Sequence, residues 1–198
     1  MEETIKKPSE EKFNLSKVKL LPDGGLQATY QVTEEIGGEL TITDYQATIS
    51  RDIHPDLQGL FKDLRHVVAR VFNITSFLSM LESDDFKLPE SKLAKARSYA
   101  DELISKISVR GVTWAGTGDK IGVVITSLFE TPNGLKTCIN TPCIKLANIS
   151  FGFEEELETI AKAIQSEVYQ FIFNGKQAQL SLFGGQSDND EQQDNGDE

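Results

Sequence analysis

Residues 13–50 read FNLSKVKLLPDGGLQATYQVTEEIGGELTITDYQATIS, and this stretch decides the fold. Three runs, Phe13 to Leu21, Leu26 to Thr33 and Glu39 to Ser50, are rich in Leu, Val, Ile, Thr and Tyr, the side chains that suit a pleated, half-buried surface. Pro22-Asp23-Gly24-Gly25 and Gly37-Gly38 separate them. Turns that short join antiparallel neighbours, because a parallel connection needs a crossover of a dozen residues or so. The stretch therefore predicts a three-strand antiparallel meander.

Beyond it the hydrophobic period changes. From Pro55 to Phe72 the residues Leu57, Leu60, Phe61, Leu64, Val67, Val68 and Val71 fall on one broad helical face, with Pro55 suited to the first turn. Phe77 to Lys87 reads as a less regular connection, and Pro89 to Ser105 as a second, more polar helix. A second set of strands follows at Ile107 to Ala115, Ile121 to Glu130 and Leu135 to Leu146. They are joined by Gly116-Thr117-Gly118-Asp119 and by the hairpin signal Thr131-Pro132-Asn133-Gly134. Phe153 to Phe173 is the longest helix. Its core face carries Leu157, Ile160, Ala161, Ile164, Val168, Phe171 and Ile172, and Glu154, Glu155 and Glu156 lie at the positive end of its dipole as a solvated helix start.

The predicted class is α+β: two antiparallel three-strand meanders, each followed by a helix, with helices packed on the sheet or sheets and a disordered acidic C-terminal tail. The outline repeats, which suggests an internal duplication, although the two halves do not align residue by residue from sequence. One sheet of six strands and a pair of smaller sheets fit equally well. The expected organisation is a mobile arm over 1–12, one globular domain over 13–176, a peptide over 177–183 and a tail over 184–198.

At 198 residues with 38% apolar content and eleven Phe, the chain can bury a core of single-domain size. No apolar run is long enough to span a membrane and the N-terminus lacks a signal-peptide pattern, so a cytoplasmic protein without membrane association is expected. Cys138 and Cys143 lack the second pair that a structural zinc site would need, and read as free thiols.

Gln179-Leu180-Ser181-Leu182-Phe183 stands between the last helix and the tail. Leu180, Leu182 and Phe183 are each worth roughly 1.5–3 kcal/mol if fully buried. Gln179 can both donate and accept, and so can fix the register of an extended peptide. Asn174-Gly175 before the segment and Gly184-Gly185 after it present it like a ligand. The segment also has the alternation of a half-buried edge strand, the competing reading. From Gly184 onward the acidic residues Asp188, Asp190, Glu191, Asp194, Asp197 and Glu198 meet no Lys, Arg or large apolar side chain, a composition that cannot order itself. This tail carries much of the formal charge of −11 and leaves the body mildly acidic.

Residues 179–183 resemble the sliding-clamp-binding peptide of bacterial replication and repair proteins, of the form Gln-Leu-Ser/Asp-Leu-Phe, and match it at every position. The resemblance implies that Gln179, Leu180, Ser181, Leu182 and Phe183 dock on the β sliding clamp. A strand-rich domain with an acidic tail is similar in layout to bacterial and phage single-stranded DNA-binding proteins, whose tails commonly finish on an apolar residue where this one ends Asp197-Glu198. The overall arrangement also looks like a product of a phage or mobile-element replication module.

Candidate catalytic chemistry is sparse. Gly116-Thr-Gly118-Asp-Lys-Ile-Gly122 lies between two strands rather than opening a helix, so it reads as a hairpin turn and not a phosphate loop. His54 and His66 are the only histidines, with no Cys or carboxylate cluster at ligand spacing, so neither metal nor cofactor is expected. No nucleophile pairs with a base and an orienting acid, and the expectation is a protein that is not an enzyme. Basic residues gather mid-chain, and Arg65, Arg70, Lys95, Arg97, Arg110 and Lys120, with Trp114 for stacking, are the candidate contacts to single-stranded DNA. The favoured expectation is a non-enzymatic DNA replication or repair accessory tethered to the clamp. The alternative is a single-stranded DNA-binding protein with an acidic regulatory tail.

Overall fold

In the computed structural model of this chain, residues 7–83, 88–131, 133–146 and 153–176 are described. The first meander consists of β1 (Phe13–Leu20), β2 (Leu26–Ile36) and β3 (Glu39–Ile49). Gly37 and Gly38 turn the β2–β3 hairpin at φ of 64° and 88°, the conformation of a two-residue turn that matches strand twist and that only glycine adopts freely. Then come α1 (Pro55–Val71), α2 (Ser76–Leu81) and α3 (Glu90–Ser105). The second meander is β4 (Ile107–Ala115), β5 (Gly122–Glu130) and β6 (Lys136–Asn140), followed by the short β7 (Ile144–Lys145) and by α4 (Glu154–Phe173).

Both meanders belong to one antiparallel sheet in the order β3-β2-β1-β4-β5-β6, with β7 pairing β5 beside β6. Strand alternation sorts the side chains. Phe13, Leu15 and Val18 of β1 and Leu26, Ala28, Tyr30 and Val32 of β2 are buried, while Asn14, Lys17 and Lys19 are exposed on the opposite face. Leu57, Phe61, Leu64 and Val68 of α1 and Leu157, Ile164, Val168 and Phe171 of α4 join the buried strand residues in a single hydrophobic cluster. At roughly 1.5–3 kcal/mol for each fully buried large side chain, this cluster is the main stabilising contribution.

The meanders meet over a short joint in which Lys17 faces Thr113, Val18 faces Val112 and Lys19 faces Gly111. Counted outward from the antiparallel pair Val18–Val112, the two halves follow a similar register. Phe13, Leu15 and Val18 fall on Ile107, Val109 and Val112. A bulge lies between Leu15 and Lys17 in β1 and another between Val109 and Gly111 in β4, at the same place in each half. Tyr30 opposite Leu15 falls on Ser127 opposite Val109. Leu57, Leu64 and Val68 of α1 and Leu157, Ile164 and Val168 of α4 are buried at the same spacing. The suggested duplication thus gains a matching bulge and a matching helical spacing, with α2 and α3 present in the first half alone among the described residues.

Several expectations are corrected. The mobile arm does not hold over its second part: Pro8 is buried, its carbonyl accepts a 2.6 Å hydrogen bond from the Tyr169 hydroxyl, and Glu10–Lys12 forms a single 3-10 turn. Leu135 to Leu146 is not one strand. Pro142 has no N–H for the ladder, and the Thr141 hydroxyl takes the Ile125 N–H at 2.9 Å, so pairing stops at Asn140 and resumes at Ile144. The irregular connection after Phe72 contains α2. Glu154 is not part of a solvated helix start: it is 3% exposed and its carboxylate accepts from the Phe153 N–H at 3.1 Å. No helix of the described residues is long and apolar enough to cross a membrane.

Candidate functional site

Because β1 and β4 pair over so few residues, the sheet opens on either side of the joint, and each opening is floored by a helix. One cleft, of about 290 Å³, lies between Ser108 to Arg110 of β4, the Leu20 to Pro22 exit of β1 and the face of α1 that carries Gln58, Phe61, Lys62 and Arg65. The other, of about 800 Å³, lies between Asn14 to Ser16 of β1, the Trp114 end of β4 and the face of α4 that carries Glu158, Ala161, Lys162 and Gln165. Each is lined by the bulge of its own strand and by one face of its own helix.

The smaller cleft is basic. Arg65 and Arg110 are half-buried, Lys62 is exposed, and no carboxylate is among the described residues lining it. Local structure explains the convergence. Arg65 follows Phe61 and Lys62 by about one helical turn and so shares their face. Arg110 is the extra residue of the β4 bulge, and bulges of this kind re-aim a side chain that regular pleating would direct elsewhere. The Nε atoms of both arginines are buried and have no hydrogen-bond partner. The Arg51 Nε is likewise buried without a partner, but the rest of that guanidinium is engaged within the fold: a terminal nitrogen donates to the Phe171 carbonyl at 3.3 Å and the group lies 5.2 Å over the Phe171 ring.

The other basic residues singled out in the sequence do not join this cleft. Arg70 binds Glu156 at 2.8 Å and ties the end of α1 to the start of α4. Arg97 is held by Glu82 and Glu90, both at 2.8 Å, and these partners push its guanidinium further up in pKa. Lys95 is exposed on α3, and Lys120 is exposed at the end of a 3-10 turn. Trp114 is half-buried and lines the larger cleft, at the opposite end of β4 from Arg110. Arg65 and Arg110 are therefore the two of the seven candidates that share a site. Gln179, Leu180, Ser181, Leu182 and Phe183 lie outside the described residues, as does the acidic tail.

A second cluster was hidden by chain separation. Ligand atoms of His54, Asp56 and Glu167 all lie within 4.8 Å of one another, so the expectation that no carboxylate cluster accompanies His54 is corrected: Asp56 is its near neighbour in the chain, and Glu167 arrives from α4. The cation that this cluster holds is the Lys176 ammonium, which bonds Asp56 at 2.8 Å and both oxygens of Glu167 at 2.8 and 2.9 Å. His54 caps α1, its Nδ1 accepting from the Asp56 N–H at 3.2 Å. The hydrogen bond to Lys176 holds the Asp56 carboxyl below its ordinary range, and bonds to Asp56 and then Glu167 push Lys176 up. Lys176 thus pins the chain just past α4 to the start of α1. Cys138 and Cys143 are free and exposed.

No protein-family model, no curated protein and no solved structure matches this chain.

Proposed function

We propose that this chain is a non-enzymatic accessory protein of DNA replication or repair, of the kind carried by phages and mobile elements, which binds the bacterial β sliding clamp through Gln179 to Phe183. One observation carries the reading: a complete Gln-Leu-Ser-Leu-Phe peptide begins three positions after Lys176, the residue that fastens the end of α4 to α1. A peptide on a short leash from a folded body needs only modest intrinsic affinity, since any second contact raises its effective concentration. Leu180, Leu182 and Phe183 supply the apolar anchors and Gln179 the orienting amide.

The test is a titration of the purified chain, and of its Leu182→Ala/Phe183→Ala variant, against a bacterial sliding clamp. Saturable binding that the variant loses, with its melting temperature unchanged, supports the proposal. Absence of binding by either protein overturns it, and a marked loss of stability in the variant would return the pentapeptide to the fold as an edge strand.

A single-stranded DNA-binding role is the second reading, and the convergence of Arg65 and Arg110 in one cleft is what favours it. The distance of Trp114 from that cleft and the ion pairs of Arg97 argue for a compact contact rather than a long tracked strand. Steeply salt-dependent binding of an unstructured oligonucleotide would favour this reading over the first.

A further inference from the structure

We propose that the cleft between Lys62, Arg65 and Arg110 is a binding site for a phosphate group. The strongest argument comes from the other half of the molecule. Ser16 is the bulge residue of β1 as Arg110 is of β4, and Ser16 and Gln165 line the larger cleft from strand and helix as Arg110 and Arg65 line the smaller one. The same framework is thus built with a serine at the bulge and an amide on the helix, so folding does not require two guanidinium groups there. Gln165 completes its side by donating to the Phe13 carbonyl at 3.1 Å. Arg65 makes no such bond: its Nε, like that of Arg110, is buried without a partner. Two half-buried guanidinium groups that line one cleft from α1 and β4 leave donors unused, an arrangement that a bound anion would satisfy.

The chemistry selects phosphate among anions. A guanidinium presents a planar fork of donors that fits two phosphate oxygens, and two such forks plus an ammonium match the three oxygens and the charge of roughly −1.5 to −2 on a phosphate monoester. A carboxylate, with two oxygens and one charge, would leave one arginine unmatched. The volume of about 290 Å³ sits at the bottom of the roughly 300–1,000 Å³ span of small-molecule sites, so a phosphate with an attached sugar fits better than a large cofactor. Leu20, Pro22 and Phe61 supply an apolar wall for that attached group. The site stands whether or not the clamp peptide acts, because none of its residues lies near positions 179–183 in sequence.

The same phosphate chemistry could come from a free nucleotide or from nucleic acid, and the experiment separates them. Full-length protein in phosphate-free buffer is titrated calorimetrically with dAMP, with deoxyadenosine, and with one oligonucleotide carrying either a 5′-phosphate or a 5′-hydroxyl. Arg65→Gln and Arg110→Ser, which place the other half's residues in this cleft, are the test variants, and Lys162→Gln in the larger cleft is the control. The expected result is saturable binding of at least one phosphorylated probe, none of deoxyadenosine, a loss of about tenfold or more in each arginine variant, and no change in the control. Preference for the 5′-phosphorylated oligonucleotide identifies a strand end and dAMP alone identifies a free nucleotide, whereas equal binding of both oligonucleotides, a response to singly charged backbone phosphates, overturns the assignment of a phosphate monoester. Absence of saturable binding by every probe, or binding that both arginine variants retain in full, overturns the proposal. Melting curves of the variants that match or exceed the parent exclude misfolding as the cause of a loss.

Discussion

If the cleft is built for an anion, the empty cleft should cost stability, and Arg110→Met measures that cost. Methionine keeps the apolar stem that packs beside β1 while removing the charged head. Among the described residues the guanidinium of Arg110 is in no ion pair, and its Nε is buried without an acceptor, so the substitution forfeits no hydrogen bond to them. A buried donor left unsatisfied costs about 1–3 kcal/mol. The group is only half-buried, so the repulsion from Arg65 is largely screened and adds little. A net gain of about 1 kcal/mol is expected, which for a chain of this size raises the melting temperature by roughly 2–4 °C. Urea unfolding in phosphate-free buffer should show a higher midpoint with an unchanged slope. The order then reverses with ligand: a phosphorylated probe at about a hundred times its dissociation constant stabilises the parent by about 2.7 kcal/mol and leaves the variant nearly where it was. A variant that is less stable than the parent in ligand-free buffer would refute the reasoning, because the guanidinium would then be a structural group.

Other perturbations probe the frame around the site. Leu157→Ala, at a side chain with 0% exposure in the centre of the core, should cost about 2–5 kcal/mol and lower the melting temperature by on the order of 10 °C, measured by calorimetry; a near-neutral result would mean that α4 does not pack on the sheet as described. Lys176→Met should flatten the dependence of stability on pH at both ends. The Asp56 carboxyl is depressed in the folded state, so its contribution is present above the ordinary carboxylate range and is lost as pH falls through that range. The Lys176 ammonium is raised, so its contribution is present at neutral pH and is lost as pH climbs past the ordinary lysine range. Parallel pH–stability curves for parent and variant would show that the cluster contributes nothing measurable, as many exposed ion pairs do.

What the sequence by itself determined is local. Alternating apolar residues in β1 and β2, the paired glycines at 37 and 38, the helical spacing from Leu57 to Val71 and the long apolar face of α4 specify elements because each rests on neighbours in the chain. Free thiols at Cys138 and Cys143 were legible for the same reason. Even locally, Pro142 was a readable stop that ended β6 early, and Tyr169 fixes Pro8 only because α4 folds back over the start of β1. Tertiary structure alone decided that the two meanders share one sheet, since that depends on a short joint at Val18 and Val112 between strands far apart in sequence. It also decided that β1 and β4 carry a bulge at the same distance from their joint. Above all it decided the basic cleft. Arg65 owes its direction to helical phase and Arg110 to a bulge, and a bulge is defined only by the pairing of β4 with β5, where two residues of one strand meet one of the other.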